Sequence, residues 1–287
     1  MKALLHALGA AGYDFTTITP ASHRRVARRW RGLGAGPRDL FGWSRAVDPA
    51  SIDTDLLTEA CAAGVIEARE GGIASSIRVS RVRGRLFAHS AWPTHAADSV
   101  FLGPDSYRFA RFIAANLAEV APGARVVDIG TGAGVGGIVA ADVLGAADLT
   151  LTDINARALD FARENAAAAC REARFVHTAG LDGLEGPFDL ALANPPFMID
   201  PHARAYRDGG GDLGTALALD LAGQAMARLA PGRAADPVHR KPNRGGARSV
   251  RHRAGRCDSA GGVRARLCRA RSRRVRRGTG PRGLRRG

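Results

Sequence analysis

The chain reads as an α/β protein built on an open parallel sheet, with a smaller α+β unit ahead of it. Three segments carry that reading. The apolar run Phe188-Asp189-Leu190-Ala191-Leu192-Ala193 has the length and continuity of a buried strand, and it runs straight into Asn194-Pro195-Pro196-Phe197. Arg125-Val126-Val127-Asp128-Ile129 is a second short strand; it opens into the loop Gly130-Thr131-Gly132-Ala133-Gly134-Val135-Gly136-Gly137 and then an apolar helix from Ile138 to Leu144. Leu149-Thr150-Leu151-Thr152-Asp153 is a third strand, ending in an acid. Strands that alternate with helices and end in such turns place a ligand at the carboxyl edge of a parallel sheet.

Residues 1–100 form the smaller unit, with helices expected over Lys2–Ala11, Ser22–Arg31 and Asp53–Ala63. Asp53 caps the last of these and Gly64 follows its end. Ile77-Arg78-Val79-Ser80 and Arg85-Leu86-Phe87-Ala88-His89 alternate like a strand pair joined through Arg83-Gly84. Helices followed by a β-ribbon describe a winged-helix-like accessory domain that selects a macromolecular substrate. Arg24, Arg25, Arg28, Arg29 and Arg31 either face RNA or a protein partner or form a solvated helix face. The short apolar run in Met1–Ala11 is interrupted by His6, closely followed by Asp14, and too short to span a bilayer. The expectation is a cytoplasmic protein with no membrane partner.

Residues 101–232 carry the chemistry. Two prolines after Ala193 stop the strand ladder and stiffen the turn, since each fixes φ and neither donates a hydrogen bond. Asn194 is thereby held at a strand end. Its amide can accept from a planar NH2 group while the carbonyl of Pro195 takes the other hydrogen, which aims the nitrogen lone pair at an electrophilic methyl. The plainer alternative is a strand-ending loop with a capping Asn. The glycines let backbone approach a ligand, and the following helix offers unpaired N–H groups. Gly132, Gly134 and Gly137 fit the dinucleotide spacing and keep a nicotinamide cofactor in view; the register Asp128-x-Gly130-x-Gly132-x-Gly134 instead puts an acid at the strand end, suited to a cationic amino-acid moiety. Asp153 can bind both hydroxyls of a ribose, or cap the helix that begins near Ala156. The four cysteines, Cys61, Cys170, Cys257 and Cys268, lack metal-ligand spacing, so no metal is expected.

Asp128-Ile129-Gly130-Thr131-Gly132-Ala133-Gly134, Leu151-Thr152-Asp153 and Asn194-Pro195-Pro196-Phe197 together resemble the motifs of the class I S-adenosylmethionine-dependent methyltransferases. Within these the chain is similar to the small-domain N-methyltransferases, which include the release-factor glutamine and ribosomal-RNA guanine N2 enzymes. The resemblance spans Phe101 to Gly232 and implies a Rossmann-like methyltransferase sheet. It implies S-adenosyl-L-methionine as cofactor, with Asp128 at its methionine end, Gly130, Gly132 and Gly134 as its floor and Asp153 on its ribose. Phe101-Leu102-Gly103-Pro104-Asp105-Ser106-Tyr107-Arg108-Phe109 resembles a segment that closes over the cofactor, which brings Tyr107 to that site. Members carry an acid after the third strand that contacts the adenine amine; the aligned position is Ala179, and Asp182 is the acid offered in its place. Asn194, Pro195, Pro196 and Phe197 would hold and stack the target nitrogen, belonging to a release-factor-like protein or an RNA base. Tyr206 and Arg207, in the glycine-rich stretch Tyr206-Arg207-Asp208-Gly209-Gly210-Gly211, would meet the acceptor.

Composition breaks after Gly232. Residues 233–287 hold 18 Arg and one Lys against Asp236 and Asp258, a formal +17, which leaves −2 for residues 1–232. Three readings compete: an arm that neutralises nucleic-acid phosphates, a solvated disordered tail, or a stretch read in the wrong frame. The tail has no Phe, Tyr or Trp to stack on bases. Ala235-Asp236-Pro237-Val238-His239-Arg240-Lys241-Pro242 can be encoded so that reading from each codon's second base gives Leu-Ile-Leu-Tyr-Thr-Gly-Ser-Pro. The same frame turns Arg248-Ser249-Val250 into Asp-Pro-Phe. A one-nucleotide shift near Gly232-Arg233 is therefore expected, with the C-terminal strands missing and the strand Phe188–Ala193 left as an apolar edge.

Overall fold

The computed structural model describes residues 1–117, 120–145, 147–196 and 216–237, with residues 231–237 described through their backbone. Helix α1 (Lys2–Ala10) buries Leu4, Leu5 and Leu8. Helix α2 (Pro20–Ala27) starts at Thr19, whose hydroxyl accepts from the Ser22 amide at 3.2 Å, and Pro20 takes the first helical position. The five arginines from Arg24 to Arg31 are all exposed. Helix α3 (Thr54–Ala62) is capped by Asp53, whose carboxylate accepts from the Asp55 and Leu56 amides at 3.1 Å. Two antiparallel hairpins follow, β1 (Ile66–Arg69) with β2 (Gly72–Ser75), and β3 (Ile77–Val82) with β4 (Arg85–Ser90). Arg83 and Gly84, at φ 48° and 84°, supply the left-handed pair that a two-residue hairpin turn needs.

The second half is the sheet. After helix α4 (Pro104–Asn116) come β5 (Ala124–Ile129), α5 (Val135–Leu144), β6 (Ala147–Asp153), α6 (Ala156–Ala168), β7 (Arg174–His177), β8 (Phe188–Ala193), α7 (Ala216–Arg228) and β9 (Leu229–Pro237). The five strands run parallel in the order β7-β6-β5-β8-β9. Chain order reverses between β5 and β8, so the crevice of the sheet opens at the carboxyl ends of those two strands. Strand parity divides the core: Val126, Leu190 and Leu192 face α4, α5 and α6, while Val127, Ile129, Ala191 and Ala193 face α7. Helix α5 lies close on the sheet because it starts on glycine; a Cβ on Gly137 would sit 2.4 Å from Leu151.

Two sequence expectations change here. The strand Phe188–Ala193 is not an edge, because β9 pairs along it from Leu229 to Pro237. A parallel ladder uses backbone N–H and C=O groups and does not require an apolar pattern in the added strand. The composition break at Gly232 thus falls inside a strand; residues 238–287 lie outside the described residues. The small unit is also joined tightly to the sheet. Val82 and Phe87 of the second hairpin belong to the sheet core, while Val79 and Ala88 belong to the N-terminal core. Asn165 of α6 accepts from the Ala88 amide at 2.8 Å and donates to the carbonyls of Ala88 and Ala133, both at 2.9 Å. Asp142 of α5 binds Arg85 and Arg171 together. Among the described residues, no helix is long and apolar enough to cross a membrane.

Candidate active site

The glycine loop leaves β5 with Gly130, Gly132 and Gly134 all at positive φ, 64°, 56° and 82°. This alternation turns the chain sharply and brings it to the N-terminus of α5. At Gly130 and Gly132 an added Cβ would point into open space, so the loop presents a concave backbone floor. Asp128 supports that floor from inside. It lies on the α5 face of its strand, 1% exposed, and one carboxylate oxygen accepts from the Thr131 hydroxyl at 2.6 Å and the Gly137 amide at 2.9 Å. Burial pushes its pKa up to about 6, those two hydrogen bonds pull it back, and the Asp153 charge adds to the rise. The expectation that Asp128 faces a ligand directly is therefore corrected. The parity that buries Val126 buries Asp128 as well, and its carboxylate staples the loop to the helix.

Asp153 ends β6 beside the same loop. One of its oxygens accepts from the Gly132 amide and the other from the Asn155 amide, each at 2.9 Å. The cap of α6 is Asn155, which accepts from the Arg157 amide at 3.1 Å, so Asp153 is not needed for that task. Burial raises its pKa, and the hydrogen bonds from Asn155 and Gly132 oppose the rise. Each carboxylate oxygen keeps a lone pair for a further donor.

Asn194 follows β8, one strand across the switch point, with Asn194 half-buried and Pro195 buried. Its side chain is hydrogen-bonded to the carboxylate of Asp105, the second residue of α4. Burial raises the Asp105 pKa, while its own amide, Asn194, the Ser106 amide and the Arg108 charge hold it down. Tyr107 is corrected as a cofactor residue. The stripe Ser106, Phe109, Ala110 and Ile113 packs on the core, and Asp105 and Tyr107 flank it about 160° apart at 100° per residue. Asp105 therefore reaches the sheet crevice, whereas the Tyr107 hydroxyl accepts from the Thr17 amide at 2.9 Å in the small unit. Asp182 and Ala179 are both exposed after β7, closing a turn in which the Asp182 amide donates to the Ala179 carbonyl at 3.1 Å. Phe197, Tyr206 and Arg207 lie outside the described residues.

The crevice thus combines a glycine floor, a ribose-competent carboxylate and an amide at a stiff strand end. Sequence reasoning missed Asp105, Thr131 and Asn165. Thr131 carried a signal, since a hydroxyl three residues after a buried acid can turn back to it. Asp105 and Asn165 carried none, because their partners are distant in the chain. Among the described residues, no group of three His, Cys, Asp or Glu could hold a metal ion.

Comparison with known proteins accords with this geometry. Residues 99–207 match the family described as Methyltransferase small domain. A release factor glutamine methyltransferase of Deinococcus radiodurans is 38% identical over 118 residues, covering 38% of this chain and 42% of that one. A ribosomal RNA small subunit methyltransferase C of Haemophilus influenzae is 37% identical over 83 residues, covering 29% of this chain and 25% of that one. The structure of a T. thermophilus 16S rRNA methyltransferase in complex with AdoMet and guanosine aligns over 63% of this chain and 53% of that one, at 20% identity and a TM-score of 0.41. The chain spans less than half the length of these two curated relatives. Residues 99–207 are a methyltransferase small domain, and through that segment the chain belongs with the class I S-adenosylmethionine-dependent methyltransferases.

Proposed function

We propose that this chain methylates a planar nitrogen, an amide or exocyclic amine, on a macromolecule in the cytoplasm. The acceptor would be a glutamine of a release-factor-like protein or an RNA base. The observation that carries this reading is the Asn194-Pro195-Pro196 turn standing across the switch point from the glycine floor. S-adenosylmethionine, when bound, supplies an electrophilic methyl group. The residues present fit it: Gly130, Gly132 and Gly134 give an open cradle, and Asp153 has acceptor capacity for a ribose. Asp128 acts from below by fixing the loop, and Asp182 is the acid available for an adenine amine.

The chain's own contribution to the reaction is orientation. The Asn194 carbonyl and the Pro195 carbonyl accept the two hydrogens of the acceptor NH2, which takes the nitrogen lone pair out of conjugation and aims it. Phe197 stacks on the acceptor plane, and Tyr206 and Arg207 contact the macromolecule beyond it. As the nitrogen forms its new bond to carbon, its proton passes to solvent. Positioning of this kind supplies a large share of barrier lowering. The arginine-rich tail as a nucleic-acid arm is the weaker reading, since the family match lies wholly before it.

The test uses radiolabelled S-adenosylmethionine with ribosomal RNA and release factors from a strain lacking the gene. Label should enter one of the two, and Asn194→Ala should cut turnover about 100-fold while leaving cofactor affinity within about twofold. Parallel loss of cofactor affinity would place Asn194 in the wrong site.

A further inference from the structure

We propose that Asp105 is a positioning residue that decides which end of the Asn194 amide faces the methyl acceptor. The inference rests on the methyltransferase reading of the site. The two ends of an amide, C=O and NH2, are nearly equal in size, so packing alone does not choose between them. An ionised carboxylate only accepts, so a hydrogen bond from Asn194 to Asp105 turns the NH2 toward Asp105. The carbonyl oxygen then points the other way. An acceptor NH2 group needs that oxygen; the flipped amide would set donors against donors.

Asp105 is held for this task. It is the second residue of α4, where the helix N-terminus favours a carboxylate. Ser106 accepts from the Gly103 amide and Phe109 packs on Gly136 of α5, which ties α4 to the glycine loop. A Cβ on Gly103 would lie 3.3 Å from an Asp105 oxygen and 2.4 Å from the Phe101 ring, so that small residue leaves room for both. The carboxylate also polarises the amide it binds and makes the Asn194 oxygen a better acceptor.

The test compares the full chain with Asp105→Ala and Asp105→Asn, each with and without S-adenosylhomocysteine. The Asn194 side-chain amide is identified in proton–nitrogen spectra as the pair that Asn194→Ala removes. Asp105→Ala should move and broaden that pair and lower turnover about 10- to 100-fold, with affinity for S-adenosylhomocysteine within about twofold. Asp105→Asn keeps the size and an acceptor carbonyl, guards against misfolding, and should recover part of the turnover. An Asn194 pair that does not move in Asp105→Ala would overturn the proposal. So would a loss of cofactor affinity as large as the loss of turnover, which would make Asp105 a cofactor ligand. If the unaltered chain bound no S-adenosylhomocysteine, the methyltransferase reading would fail, and the spectra of the free chain would still decide the Asp105 contact.

Discussion

At Asp128 a carboxylate sits almost wholly out of water, and its two hydrogen bonds only partly offset that burial. Its folded pKa, about 6, exceeds the roughly 3.9 of an unfolded Asp, so the folded chain holds the proton more tightly. The stability this provides is complete below the unfolded value and is lost as pH rises through about 6. Asp128→Asn removes the titration. Measured by chemical denaturation, the stability of Asp128→Asn relative to the unaltered chain should rise by roughly 3 kcal/mol between pH 3 and pH 8. A constant difference across that range would mean that Asp128 is neither buried nor stapled as described.

Among the elements, those with punctuation were the legible ones. The apolar continuity of β5, β6 and β8, each closed by Gly, Asp or Asn-Pro, fixes both strand and terminus, and all three stand where the pattern puts them. The β3–β4 hairpin was readable for a related reason, as Arg83-Gly84 breaks two alternating runs. The β1–β2 hairpin was not. Glu67, Ala68 and Arg69 have poor strand propensity, and the pair forms where β2 also bridges Val47 through Ile73. The same limit hides side-chain roles. A helix pattern places Asp105 and Tyr107 on opposite flanks, but only the packed fold says which flank meets the crevice. Strand parity sends Asp128 inward, a direction that the motif alone left open.

For the whole molecule, the −2 body and the +17 tail remain two different compositions. We propose that a one-nucleotide shift near Gly232-Arg233 produced the tail. Resequencing the gene and removing one base there should restore Leu-Ile-Leu-Tyr-Thr-Gly in the place of β9, and the product should melt at a higher temperature than the chain as written. A gene without the shift, giving a stable and active product with this tail, would end that idea. The joined architecture predicts that the small unit and the sheet unfold together, since Asn165 and Asp142 bind across them. The central claim is that the crevice between β5 and β8 takes S-adenosylmethionine and not a nicotinamide dinucleotide. Calorimetry on the full chain with each ligand tests it most directly. S-adenosylmethionine should bind, NAD should not, and Asp153→Ala should weaken S-adenosylmethionine binding about 10- to 100-fold through the loss of charge-assisted hydrogen bonds. Tight NAD binding without S-adenosylmethionine binding, or an Asp153→Ala chain with unchanged affinity, would contradict the account.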